Sequence, residues 1–151
     1  MESSTSTLKW FPACSIQEVR NRAKRCIIEG RPVAIWMCKG KPFALDANCY
    51  HAGGPLEQSA VDLEEIAGQA CTRCPVHHYI ISVETGESYY RAVTFEGLKG
   101  EKVPVMGDYT SKGRKQRTHF AKIEGDIVFV ALNLSPEHLA SDDFINLRIS
   151  A

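Results

Sequence analysis

Net charge is the first thing this sequence lacks: eighteen acidic and eighteen basic side chains cancel. Without an overall positive field, nothing draws the chain to nucleic acid or to an anionic membrane, so any partner has to be met by a local patch. Aromatic residues are also few, at 9% beside a hydrophobic fraction of 44%, a composition ordinary for one soluble globular domain of 151 residues. No apolar run approaches the roughly 18 residues that a membrane helix needs. The opening MESSTSTLKW has no basic n-region, no apolar h-region and no glycine for myristoylation. Together these absences predict a soluble, cytoplasmic protein with neither a nucleic-acid nor a membrane partner.

What is present in unusual measure is cysteine, at positions 14, 26, 38, 49, 71 and 74. An even count invites a disulfide framework, but without a secretory signal these read as thiols in a reducing compartment. Metal ligation is then the open question.

Residues 1–7 are rich in Ser and Thr and are predicted to be a disordered tail, with a single domain over 8–151. Ser15 and Glu18 have capping-box spacing, which supports a short helical turn. Three short runs, 23–28, 32–38 and 42–46, are separated by the glycine-bearing turns EGR and KGK and predict an antiparallel meander. In the middle run Val33, Ile35 and Met37 share one face and Ala34, Trp36 and Cys38 the other, so that strand is predicted to be buried on both sides. EEIAGQACTR reads as one strand, YIISVETGESYYR as a hairpin turning at Thr85-Gly86, and THFAKIEGDIVFVAL as a hairpin around Glu-Gly-Asp. Between them, 94–117 carries four glycines, one proline and unpatterned charge, and is predicted to be a long loop. A short helix is expected from Pro136. There is no internal repeat, and the whole is mostly β, a small antiparallel sandwich or partly open barrel.

Two stretches carry chemistry. ANCYHAGGPL places Cys49 and His51 two apart, on one side of an extended segment, while CTRCPVHHY offers Cys74 and His77 around a turn set by Pro75. Each loop supplies one thiolate and one imidazole. Two sulfurs and two nitrogens make an acceptable tetrahedral zinc site, which would give a zinc-stabilised interaction module. Zinc more often rests on knuckles of like residues, however, and the unlike pairs suit a longer, binuclear object with its two metals along one axis.

With CYHAGGPL and CPVHHYIISVETGE the sequence resembles the Rieske iron-sulfur family, and GRPVAIWMCKGKPFALDANCYHAGG is similar to the meander that enters the family's first cluster loop. The resemblance covers roughly residues 10–132 and is greatest to the small, soluble, ferredoxin-like members. It implies an antiparallel β sandwich or partly open barrel with a two-loop cluster-binding subdomain. It also implies one 2Fe-2S cluster held by Cys49, Cys74, His51 and His77, with the histidines at the solvent edge. The function implied is an electron-transfer protein, without catalysis of its own, that meets redox partner proteins transiently and as a monomer. The electron-supplying component of an oxygenase or reductase is the alternative within the family. Gly53 and Gly54 are expected to adopt φ > 0 and to bring backbone N–H groups close to the cluster.

Departures from the family carry expectations too. Respiratory-complex relatives have a disulfide-forming cysteine in each loop, where this chain has Gly54 and Val76, and a serine and a tyrosine where it has Tyr79 and Ile81. Fewer hydrogen-bond donors imply a potential in the lower part of the roughly −150 to +300 mV Rieske range. The connector EQSAVDLEEIAG is longer than in many relatives and should run over the surface.

The remaining candidates have plainer readings. Cys71 makes a C-x-x-C with Cys74 but opens no helix of a βαβ unit, so it reads, like Cys14, Cys26 and Cys38, as a packing residue. His78 reads as a rim side chain beside His77. His119, His138 and Asp142 have the residue types of a two-histidine, one-carboxylate iron site, but the chain is too short for the catalytic domain of a Rieske oxygenase. Lys112, Arg114, Lys115 and Arg117 of KGRKQR read as a solvated basic run, or as a dock for an acidic redox partner.

Overall fold

The computed structural model describes residues 8–59, 63–97 and 103–146. The predicted tail at 1–7 and the centre of the long connector, 60–62, lie outside them. Eleven strands make two antiparallel sheets: β1 (Phe11–Ser15), β2 (Lys24–Ile28), β3 (Arg31–Cys38), β4 (Lys41–Asp46), β5 (Glu64–Ile66), β6 (Gln69–Arg73), β7 (Ile80–Ser82), β8 (Glu87–Glu96), β9 (Val103–Arg114), β10 (Thr118–Glu124) and β11 (Ile127–Ala131). Six strands in the order β1-β11-β10-β4-β3-β2 form a sheet that curls until its edges, β1 and β2, come alongside each other. The other five run β5-β6-β7-β8-β9. Among the described residues no helix is long and apolar enough to cross a membrane.

The meander predicted from the EGR and KGK turns is β2-β3-β4, and β3 is buried on both faces, as its two apolar sets require. Val33 and Ile35 pack with Cys14, Val19, Ile28, Ala44, Val128 and Val130 inside the curled sheet. Ala34 and Trp36 face the other way, into a second core with Leu45, Leu56, Ile81 and Val83, which joins the two sheets. Burial of a side chain such as Val33 or Ile35 is worth about 1.5–3 kcal/mol, and with Ala34 and Trp36 buried on its other face β3 anchors both cores at once. Cys49 and Cys74 lie in that second core, where the two sheets meet.

Several elements differ from expectation. β1 was absent from the sequence reading; it pairs with β11 through a register shift between Pro12 and Cys14, as an edge strand containing proline is apt to do. EEIAGQACTR is two strands, not one, because Ala67 (φ +54) and Gly68 (φ +80) turn the chain between β5 and β6. The predicted loop at 94–117 is largely strand: β8 runs to Glu96 and β9 occupies Val103–Arg114. Its glycines and proline are tolerated because β9 is a sheet edge, and the register shifts at Glu87/Tyr89 and Arg91/Val93 erase the period-2 signal. After Pro136 the chain forms a 3₁₀ turn, Ala140–Phe144, rather than an α-helix. The Ser15–Glu18 box is present, with Ser15 N–H donating to Glu18 Oε1 at 2.9 Å and Glu18 N–H to Ser15 Oγ at 3.3 Å, and opens the 3₁₀ turn Gln17–Val19.

Candidate metal centre

The two motif loops grow from strand ends and share one backbone plan. In the first, Cys49 N–H donates to Gly54 O at 2.8 Å and Gly53 N–H to Cys49 O at 2.7 Å; in the second, Cys74 N–H donates to Tyr79 O at 2.9 Å and His78 N–H to Cys74 O at 2.8 Å. Both closures link a cysteine to the residues four and five positions on. The fourth position turns left-handed in each loop, as Gly53 (φ +78) and as His78 (φ +63). Glycine adopts that conformation freely, whereas a histidine there costs about 1–2 kcal/mol. Gly54, expected to share it, is not among the positive-φ residues and is small for another reason. A Cβ at Gly54 would lie 2.7 Å from Cys74 Sγ and 2.8 Å from Val76 Cγ2, so the loops approach too closely for any side chain there.

The sulfurs point inward and the imidazoles outward. Cys49 and Cys74 are buried and their thiols hydrogen-bond each other. The pKa of Cys74 is pushed down, first by the hydrogen bond from the Cys49 thiol, then, against the effect of burial, by the N–H groups of Val76 and His77. Cys49 moves up, because it keeps the shared proton and is buried, although the N–H groups of His51 and Ala52 face its sulfur. His51 and His77 are exposed, with ring centroids 4.9 Å apart and planes at 87°. Tyr79 stacks on His51 at 4.0 Å and 18°, and the Lys112 ammonium, from β9, lies 4.7 Å from the Tyr79 ring centroid. Among the described residues no three His, Cys, Asp or Glu side chains surround a single point. The arrangement offers two sulfur donors on one side and two nitrogen donors on the other, a set able to span more than one metal atom.

Residues that the sequence reading passed over fix the first loop in place. Gln116 is fully buried, and its Nε2 donates to Asp46 O and Asn48 O, each at 2.8 Å, while its Oε1 accepts Tyr50 N–H at 2.9 Å. The Tyr50 hydroxyl pairs with Ser88 Oγ at 2.7 Å, tying the loop to β8. Asp46, at the end of β4, receives Arg31 twice at 2.7 Å, His119 Nε2 at 2.8 Å and Ser141 Oγ at 2.6 Å. Burial works against the Asp46 carboxylate, yet these donors keep its pKa below the ordinary value. Asp142 lies well below the usual carboxylate range because Arg117 hydrogen-bonds it, with Arg31 assisting. Part of KGRKQR is thus not a solvated run: Gln116 and Arg117 are buried, and Arg117 also donates to Asn133 O, Ser135 Oγ and Glu137 O.

His119, His138 and Asp142 do not assemble. His119 is buried on Asp46 and accepts Asn133 N–H at Nδ1, which fixes the neutral tautomer with its proton on Nε2; burial pushes its pKa down. His138 is an exposed side chain beside Asp142 and Asp143. Cys71 belongs to a separate apolar group with Ile66, Ile80 and Tyr89, away from Cys74, and all six cysteines are free thiols. Cys14 is buried in the core, while Cys26 and Cys38 are only half-buried.

Residues 15–135 match the family model described as soluble Rieske-type ferredoxin. A human Rieske domain-containing protein is 34% identical over 116 residues, covering 77% of this chain and 69% of its own. Among solved structures, the ferredoxin of carbazole 1,9a-dioxygenase from Nocardioides aromaticivorans IC177 superposes with a TM-score of 0.58 at 16% identity, over 83% of this chain and 99% of that one. The putative NADH-dependent nitrite reductase small subunit from Mycobacterium tuberculosis gives 0.59 at 14% identity, over 82% and 95%. Those two likenesses concern the fold, and the match to the family model together with the human relative establishes membership. The chain belongs to the soluble Rieske-type ferredoxin family.

Proposed function

We propose that this protein is a single-domain electron carrier that holds one Rieske 2Fe-2S cluster, with Cys49 and Cys74 on one iron and His51 and His77 on the other. The observation that carries the reading is the sorting of the four side chains, sulfurs paired in the core and imidazoles paired at the surface. The donor set also fits the charge of such a group: two ferric ions, two sulfides and two thiolates sum to zero, so neutral imidazoles complete a cluster that is easier to reduce than an all-thiolate one. When bound, the cluster supplies reversible one-electron chemistry.

The residues of this chain do the rest. N–H groups of His51, Ala52, Val76 and His77 face the sulfur ligands, where they stabilise negative charge. Gly54 lets the loops close together, and Tyr79 fixes the plane of His51 by stacking. The exposed imidazoles form the shortest way out for an electron and are able to carry a proton with it. Contact with a redox partner is expected there, small and transient. The pairing of like donors, sulfur with sulfur in the core and imidazole with imidazole at the surface, suits a binuclear group with two unlike ends better than a lone zinc ion.

A second reading within the family is a dedicated component of an oxygenase or reductase, favoured by the fold it shares with a dioxygenase ferredoxin and a nitrite reductase small subunit. Iron and acid-labile sulfide in equal amounts, with zinc absent, are the expected composition of purified protein, and Cys49→Ser should abolish both. Zinc at one equivalent without sulfide would overturn the proposal. Capture of a stable catalytic partner by the reduced protein would select the second reading.

A further inference from the structure

The two cluster-loop segments CYHAGGPL and CPVHHY contain no acidic residue. Lys112 reaches their surface from β9, with its ammonium 4.7 Å from the Tyr79 ring centroid and 5.7 Å from that of Tyr90. Two aromatic rings confine the cation, and it has no ion-pair partner among the described residues. Tyr79 in turn stacks on His51 at 4.0 Å. Apolar surface flanks the same place, with Val76 51% and Tyr90 41% exposed. An exposed cation held against rings keeps its direction at little entropic cost to a partner, and an unpaired one is free to take a carboxylate.

We propose that Lys112 is the steering and docking cation for an acidic redox protein, whose carboxylate lands on Lys112 while its apolar centre covers Val76, Tyr90 and the two histidines. This rests on the electron-carrier reading. It goes beyond it by giving the partner a chemistry: a protein surface with net negative charge around an apolar patch, not a basic one. A charge at the edge of a small contact acts on the rate of encounter and its salt dependence more than on affinity. The root of the β8-β9 ribbon therefore belongs to the docking face.

The test is stopped-flow oxidation of the reduced, cluster-loaded protein. Ferricyanide is the anionic probe, taking one electron from the protein to become ferrocyanide; tris(phenanthroline)cobalt(III) is the cationic one, reduced to cobalt(II). Lys112→Gln should slow the ferricyanide reaction about fivefold at low ionic strength and steepen nothing at high salt, where screening removes the effect. The cobalt reaction should quicken. Lys112→Arg should restore the wild-type ferricyanide rate. Lys41→Gln removes an equal charge at the far end of β4, about 17 Å of strand from Asp46, and should change neither rate. Loss of the Lys112 charge also lowers the potential, which would speed oxidation by both probes, so a slower ferricyanide reaction isolates steering. Equal behaviour of Lys112→Gln and Lys41→Gln, or an arginine variant as slow as glutamine, would overturn the inference. Failure of the cluster reading is separate and visible first, as a colourless protein.

Discussion

Replacing Gln116 by Glu changes one atom type and should be among the most damaging single substitutions in this protein. The amide nitrogen donates to two carbonyls at 2.8 Å, and the amide oxygen accepts Tyr50 N–H at 2.9 Å, all without solvent. A glutamate keeps the contact to Tyr50 but turns an oxygen toward Asp46 O and Asn48 O, which are acceptors already. Two hydrogen bonds become two repulsions, and a buried carboxyl must either be charged without a cation or spend its one proton on one of two acceptors. With an orphaned buried polar group costing about 1–3 kcal/mol, the loss comes to roughly 3–5 kcal/mol. That is a large part of the ~5–15 kcal/mol by which native proteins are stable. The midpoint of thermal unfolding, followed by far-UV circular dichroism on apoprotein so that a bound group does not contribute, should fall by roughly 10 °C or more. Gln116→Leu, which takes this partner from Tyr50 N–H as well as from the two carbonyls but adds no repulsion, should fall by a comparable amount. A Gln116→Glu protein that melts within about 2 °C of wild type would refute the assignment of Gln116 as the clamp on the first loop.

Gly54→Ala would drive a methyl group against Cys74 Sγ and Val76 Cγ2; a loss of about 1–3 kcal/mol and impaired iron uptake are expected, by denaturant titration and iron analysis. His78→Gly should act in the opposite sense, since relief of the left-handed strain of about 1–2 kcal/mol exceeds the added glycine entropy of about 0.5–1 kcal/mol; a lower urea midpoint would contradict this. Stability should also fall in acid in two steps. His119 has a depressed folded pKa, so its contribution is complete above the unfolded value near ~6.5 and declines as pH drops below it; Asp46 and Asp142, likewise depressed, lose theirs below about 4. Melting temperatures that stay level from pH 7.5 down to 4 would contradict the His119 part. Spectroelectrochemical titration should place the potential in the lower part of the about −150 to +300 mV Rieske range, given Tyr79 and Ile81 where the resemblance to respiratory-complex relatives implies a serine and a tyrosine; a value in the upper half would contradict this.

Local patterns carried the meander, the capping box and the two hairpins, because turn glycines and alternating apolar residues act within a few positions. Strand β3 is the clearest case: its two apolar faces could be satisfied only by two cores, and both are present. Strand β9 left no such trace, since an edge strand with two register shifts needs neither a continuous period nor freedom from proline and glycine. At the candidate site, the nearness of the two cysteines to each other and of the two histidines to each other accords with their spacing in the two loops. Gln116 and Arg117 were not legible in the sequence, because their burial follows from partners contributed by β4, the first loop and the C-terminal 3₁₀ turn, far away in sequence. The left-handed turn at His78 was hidden as well, and became visible only beside its counterpart at Gly53.

Low-temperature EPR of the purified chain after dithionite reduction tests the central claim most directly. A single spin-half signal whose averaged g value is that of mixed histidine-thiolate ligation, lost in Cys74→Ser, is the predicted result. An averaged g typical of all-thiolate ferredoxins, or no signal from a protein that contains iron and sulfide in equal amounts, would contradict it.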